Sequence, residues 1–264
     1  MKSFVWEVGY VTFLGKEQQR PPIQQWLKPL FPYELYIINN YPNGSIGLEI
    51  QGHNQLQDLG AYLSLCQQFK GDGPFLLIND TLFTNHIAWI WKYFIKLWLK
   101  QNFNQFDVNS IWGDIRTPSN PPKELPYHYL ASWIFVIPNK TVLSTFSNQL
   151  YHAIHDASKY PLSASYQSYL TNFLNGNVLR GWHKIVHESK KNQKKKCYIV
   201  EHKLNKLLLE SKLQLHSLQD ANSTLGLFIR TIERINTRII YIKNYLQYSL
   251  QNKSFPSYGK SLRE

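Results

Sequence analysis

The chain has 264 residues, of which 43% are hydrophobic, 15% aromatic and 17% charged; this balance excludes a largely disordered protein and provides for one sizeable core. The formal charge of +12 is unevenly placed, since residues 1–179 carry 12 Lys+Arg against 11 Asp+Glu and leave 17 against 6 for residues 180–264. Two cysteines, Cys66 and Cys197, stand in no disulfide-framework or zinc spacing, and no stretch reaches the roughly 20 apolar residues that a membrane-spanning helix needs.

Residues 4–13 are dense in β-branched and aromatic side chains and predict an opening strand. Glu7 interrupts this segment before an apolar run of signal-peptide length develops, so no secretory signal is expected. Pro21 and Pro22 lead into a short helix over residues 23–27. Residues 33–38 form a second strand that stops at Asn39, Asn40 and a polar loop reaching Gly44. A helix over residues 58–69 precedes the turn at residues 71–74 and the apolar strand 75–78, which runs straight into Asn79, Asp80 and Thr81.

Residues 87–99 predict a helix in which Trp89, Trp91 and Trp98 alternate with Lys92, Lys96 and Lys100. That pattern suits an interfacial helix, but core packing is favoured because the Trp residues do not share one face. A proline-bearing loop over residues 117–122 and a strand over residues 132–137 follow, and from residue 141 the chain is expected to be mostly helical. The lysine run at residues 190–196 leads into helical spacing over 198–218 and 225–250. In the second of these, Ile232, Ile235, Ile239, Ile242 and Leu246 make one apolar stripe. Residues 254–260 read as a loose tail.

Alternating strands and helices at short spacing imply an α/β fold, a mainly parallel sheet flanked by helices over residues 1–179. A basic helical region, residues 180–264, follows it. Ligands of such sheets collect at the carboxyl ends of the strands, so Asn39-Asn40 and Asn79-Asp80 are expected to converge. A carboxylate there can hold a hard divalent cation against a diphosphate. The competing reading of Asp80 is a cap on the next helix.

The order of features over residues 33–83 resembles the nucleotide-sugar half of GT-A glycosyltransferases: a strand ending in paired Asn, then Asn54, then Asp58-Leu59-Gly60-Ala61, then Asn79-Asp80-Thr81. It is most similar to the Asn-Asp-Ser/Thr version found in bacterial polysaccharide enzymes of the rhamnan-synthesis type. His128-Tyr129-Leu130-Ala131-Ser132-Trp133 is similar to their His-x-x-Ser-aromatic strand, and Gly181-Trp182-His183 and Ile199-Val200-Glu201-His202 are weaker echoes. A single carboxylate stands where the family usually has a pair, which leaves metal dependence open. A metal-free route would need Lys or Arg at the leaving diphosphate.

The resemblance implies a GT-A-like, Rossmann-like fold and an inverting transfer of a sugar from a nucleotide-diphosphate donor to a glycan or lipid-linked acceptor. It places the donor on Asn39, Asn40, Asn54, Asp58, Asn79, Asp80 and Thr81, and a divalent cation, Mg or Mn, on Asp80 with His183. Such a transfer needs a base for the acceptor hydroxyl, and Asp114 and His128 are the candidates. Asp114 can instead pair with Arg116 on a loop, and His128 can be a histidine without a role. His183 and His187 share a helical face but match no zinc motif. The expected location is cytoplasmic, with the basic region an address for an anionic acceptor or the inner face of the membrane. The alternatives are a nucleic-acid-binding protein using the basic helices, which lacks any module signature, and an inactive GT-A-like partner subunit.

Overall fold

In the computed structural model, residues 5–13, 23–41, 50–51, 58–84, 88–102, 107–117, 128–156, 162–179, 188–218 and 224–250 are described. Along the chain they form β1 (Trp6–Thr12), α1 (Ile23–Leu27), β2 (Tyr33–Asn39), β3 (Ile50–Gln51), α2 (Asp58–Gln68), β4 (Phe75–Asn79), α3 (Thr81–Thr84) and α4 (Ala88–Asn102). Then come β5 (Ser110–Arg116), β6 (Tyr129–Ile137), α5 (Lys140–Asp156), α6 (Ala164–Leu179), α7 (Glu188–Glu210), β7 (Gln214–Ser217) and α8 (Thr224–Leu250). The strands make one sheet in the order β3-β2-β1-β4-β6-β5-β7. β1 is parallel to β2 and β4, and β5 is parallel to β7; β6 is antiparallel to both of its neighbours and is the one reversed strand among those described.

β1 is buried along its whole length, and its alternation sorts the core into two layers. Val11 packs with the apolar faces of α2, α5 and α7, while Trp6, Val8 and Tyr10 pack with α1, α4 and Ile229 of α8. The α2 layer comes close because residue 9 is glycine. A Cβ there would sit 2.9 Å from side-chain carbons of both Leu65 and Leu77. At the amino end of β1 the buried carboxylate of Glu7 accepts bonds from the backbone N–H groups of Lys70 and Gly71, both at 2.7 Å, and from the Tyr36 hydroxyl at 3.0 Å. Glu7 thereby fixes where α2 ends.

Three expectations change. Residues 110–116, for which the sequence suggests no strand and only a loop pairing of Asp114 with Arg116, are strand β5; Gly113 and Asp114 hide its strand character, yet both are required where they lie. A Cβ at Gly113 would stand 2.8 Å from the Ile134 carbonyl oxygen, and Asp114 is buried. The helical spacing over 198–218 breaks at Glu210. Lys212, at a φ of 63°, turns the chain into β7, which pairs with β5. The region after residue 180 also joins the sheet's own core, with Val200, Leu204 and Leu208 of α7 in the same cluster as Val11. Of the α4 tryptophans, Trp91 and Trp98 are core, whereas Trp89 is 69% exposed.

Candidate functional site at the carboxyl edge of the sheet

The sheet order reverses between β1 and β4, with β2 on one side of β1 and β4 on the other, so the carboxyl ends of the three parallel strands meet at one edge, the crevice where sheets of this kind take ligands; α1 and α4 lie together on one face and α2 on the other. Backbone bonds draw the strand ends together around β1. Asn40 N donates to Thr12 O at 2.8 Å, Asp80 N donates to Val11 O at 3.1 Å, and Phe13 N donates to Asp80 Oδ2 at 3.3 Å. The two polar endings, Asn39-Asn40 and Asn79-Asp80, therefore flank the same strand, as the sequence led us to expect.

Asn39 and Asn79 use their side chains alike. Tyr41 N donates to Asn39 Oδ1 and Thr81 N donates to Asn79 Oδ1, each at 3.0 Å, so both asparagines turn the chain as it leaves the sheet. The turn after β4 is thus held by Asn79, and the Asp80 carboxylate reaches across to β1. Asn79 Nδ2 donates at 2.6 Å to Asp58 Oδ2 at the start of α2. Asp58 Oδ1, Thr12 Oγ1 and the Tyr62 hydroxyl are buried atoms with no hydrogen-bond partner among the described residues.

The site's electrostatics join distant segments. Burial first, and the negative charge of Asp80 second, push the Asp58 carboxyl up to about 7, against the pull of Lys194 and the Asn79 bond. Burial raises Asp80 as well, opposed by the Phe13 amide and by Lys194. Lys194 of α7 thus acts on both carboxylates. It belongs to the lysine run at residues 190–196, part of the basic region expected from the sequence to address an anionic acceptor or the membrane.

The position of α7 has a structural cause. β4 pairs with β6 only from Phe75 opposite Ile137 to Ile78 opposite Ile134, so the start of β6 runs past the end of β4. Side chains of α7 bond the backbone there. Leu130 N donates to Asn205 Oδ1 at 2.7 Å, Asn205 Nδ2 donates to Leu130 O at 3.2 Å, and Ser132 N donates to Glu201 Oε1. Lys194, Cys197, Glu201 and Asn205 recur at helical spacing, so seating Glu201 and Asn205 on β6 points the same face at the crevice. Burial pushes Glu201 up to about 7, the bonds from Ser132 and the charge of Arg116 pull it down, and Asp58 pushes it up.

Asp114, at the far end of β5, is 2% exposed. Its Oδ2 accepts from Arg116 Nε and Nη2 at 2.8 and 2.6 Å and from Trp133 Nε1 at 2.7 Å. The pairing with Arg116 weighed from sequence is present, on a strand and with a third donor. The Trp133 ring meets Trp91 edge-on at 4.9 Å, and Trp91 Nε1 donates to Glu233 Oε1 at 2.8 Å. Asp114 raises the Arg116 guanidinium further above its ordinary range, and Glu233 adds to this. His128 is exposed at the mouth of β6, with Nδ1 2.9 Å from Thr117 Oγ1.

Asn54, His183 and His187 lie outside the described residues. The structure brings Asn39, Asn40, Asp58, Asn79, Asp80 and Thr81 together, and sets Asp114 and His128 on the β5–β6 side of the same edge. Sequence reasoning missed Lys194 and missed Glu201 as a site residue; their i, i+7 spacing is the one local signal that they share a face. Among the described residues no group of three or more His, Cys, Asp or Glu gathers as a metal cluster. A hollow of about 370 Å³ between α2 and α5, lined in part by Cys66, Lys140, Asn148 and Tyr151, is a separate feature outside this constellation. Compared with protein-family models, with curated proteins and with solved structures, the chain matches none.

Proposed function

We propose that the chain is a glycosyltransferase of the GT-A type, moving a sugar from a nucleoside-diphosphate donor to a glycan or lipid-linked acceptor with inversion. The observation that carries this reading is the convergence of Asp58, Asp80 and Lys194 at the crevice between β1 and β4, with buried oxygens of Asp58, Thr12 and Tyr62 left without partners among the described residues. A mainly parallel sheet with one reversed strand among those described is compatible with that fold. Its switch point is where such sheets take nucleotides.

A leaving diphosphate develops negative charge, and a fixed cation at the site lowers the barrier. Lys194 is placed for that task. A divalent ion fits the same residues, because Mg is usually held by one or two carboxylates together with substrate phosphates and water. Asp80 would hold it, with Asp58 Oδ1 as the second oxygen, and when bound the ion supplies further charge stabilisation at the diphosphate. Asn39 and Asn79 shape the strand exits, leaving Asn40 and Thr81 for the nucleoside and phosphates. The acceptor enters from the β5–β6 side, where Asp114 and His128 are the bases for its hydroxyl.

The test is thermal stabilisation by UDP, GDP, dTDP and CDP, each with and without Mg or Mn, in the parent and in Asp80→Ala and Lys194→Ala. At least one diphosphate should raise the melting temperature of the parent, and both variants should lose most of that shift while keeping the parent's circular dichroism. A parent that no nucleoside diphosphate stabilises, or an Asp80→Ala variant that binds as well as the parent, overturns the proposal.

A further inference from the structure

α8 is a 27-residue helix with two distinct faces. One is committed to the fold: Ile229 is buried against the α4 side of the sheet and Glu233 accepts the Trp91 indole N–H. The other presents apolar side chains to solvent. Phe228, Ile235, Ile239, Ile242 and Leu246 are each between 53% and 59% exposed. With half-buried Ile232 they recur every three or four residues, a continuous stripe along a helix about 40 Å long. A stripe of this extent on a water-facing helix marks a surface that meets something else.

Charge identifies the occupant. Arg234, Arg238 and Lys243 are exposed beside the stripe, and the one acidic residue of α8, Glu233, is turned to Trp91. Two copies meeting along this stripe would bring Arg238 and Lys243 against like charges, with no carboxylate on the helix to offset them. A phosphate-bearing bilayer is complementary to both parts, taking the apolar side chains below its headgroups and the basic ones at their level. α4, which packs against α8, adds Trp89 and Tyr93, exposed by 69% and 63%, residue types that settle at a membrane–water boundary. No helix among the described residues is long and apolar enough to cross a membrane.

We infer that α8 is a membrane-docking helix that lies in the surface of an anionic phospholipid bilayer along its Phe228-Ile235-Ile239-Ile242-Leu246 stripe. The docking face is therefore α8, while the lysine run of α7 serves the crevice through Lys194. This inference rests on the exposed surface and holds independently of the sugar-transfer reading.

The experiment is flotation of the full chain with vesicles of phosphatidylcholine alone and of phosphatidylcholine mixed with phosphatidylglycerol. It is run on the parent, on Ile239→Glu/Ile242→Glu and on Arg234→Gln/Arg238→Gln/Lys243→Gln. The altered side chains are exposed, so circular dichroism and melting should match the parent. The parent should float with the phosphatidylglycerol vesicles and at least tenfold less with phosphatidylcholine alone. The isoleucine variant should lose binding to both by tenfold or more, and the basic variant should lose the preference for phosphatidylglycerol. Failure of the parent to float, or flotation of the isoleucine variant equal to the parent's, overturns the inference. So does light scattering that shows a parent oligomer made monomeric by the isoleucine changes in the absence of vesicle binding. Nucleoside-diphosphate stabilisation measured on the same preparations separates failure here from failure of the transferase proposal.

Discussion

Replacing Asp58 with asparagine is expected to stabilise the protein at pH 8 and to leave it unchanged at pH 4. In the folded chain burial and the charge of Asp80 hold this carboxyl near 7, against an ordinary value of 3.8. At a pH below about 4 both folded and unfolded chains keep the proton, and the group adds nothing to the pH dependence. Between about 4 and 7 only the folded chain keeps it, so stability falls as pH rises, and above 7 the loss is complete. A displacement of roughly three units at about 1.4 kcal/mol each sets a ceiling near 4 kcal/mol. Because the group is half-buried and Lys194 stands nearby, a loss of about 1–3 kcal/mol is expected.

Glu201 and His202 also titrate in this window, and Asp80 is raised by burial beside Asp58, which is why the comparison with the parent matters. Glu201, pushed up to about 7, also favours the fold at lower pH. His202 works the other way: burial lowers it to about 4, so its contribution is intact above its ordinary 6.5 and fades as pH falls toward 4. To first order, subtracting the parent's stability from that of Asp58→Asn removes both. The asparagine keeps an oxygen for the Asn79 amide, now bonded to Asp58 at 2.6 Å, so the local geometry should survive. Urea unfolding in metal-free buffer at intervals from pH 4 to pH 8 should give a difference near zero at the acid end that grows through pH 5–7 and then levels. A difference that is flat with pH, or a variant less stable than the parent at pH 8, would refute the reasoning.

The structure carries two further expectations. Asp114→Ala should lower stability by about 1–3 kcal/mol, because Trp133 Nε1 loses its buried acceptor. Asp114→Asn should recover most of that loss in the same urea titration while leaving Arg116 without its charged partner. Glu7→Ala should cost about 2–3 kcal/mol, since the Lys70 and Gly71 amides lose a charged acceptor, and hydrogen exchange should quicken at those two amides first.

Much of the crevice was legible in the chain before folding was considered. The polar residues that follow the apolar runs of β2 and β4 are local features, and parallel strands of an α/β unit bring their carboxyl ends to one edge whatever the rest of the molecule does. Asn39, Asn40, Asn79 and Asp80 therefore converge as the sequence implies. β5 was not legible, because the two residues that break its strand character answer to distant partners: Gly113 to the Ile134 carbonyl and Asp114 to Trp133 and Arg116. β7 was hidden because Leu215, the one leucine of this short strand, also fits the helical spacing that runs from Leu208 to Leu218.

The charge of residues 180–264 shows the division most clearly. Composition by itself determined that the excess is basic and lies late in the chain. Only the tertiary structure decided what it faces. α7 takes its place because β6 outruns β4 and its backbone needs the side chains of Asn205 and Glu201, and that seating turns Lys194 toward Asp58 and Asp80. The stripe on α8 was visible as periodicity, but its exposure follows from α4 engaging a different face of the helix. Strand ends and helix faces are local properties of a sequence; which of them meet is set by non-local pairing, because unpaired backbone and buried charge must find partners wherever the fold provides them.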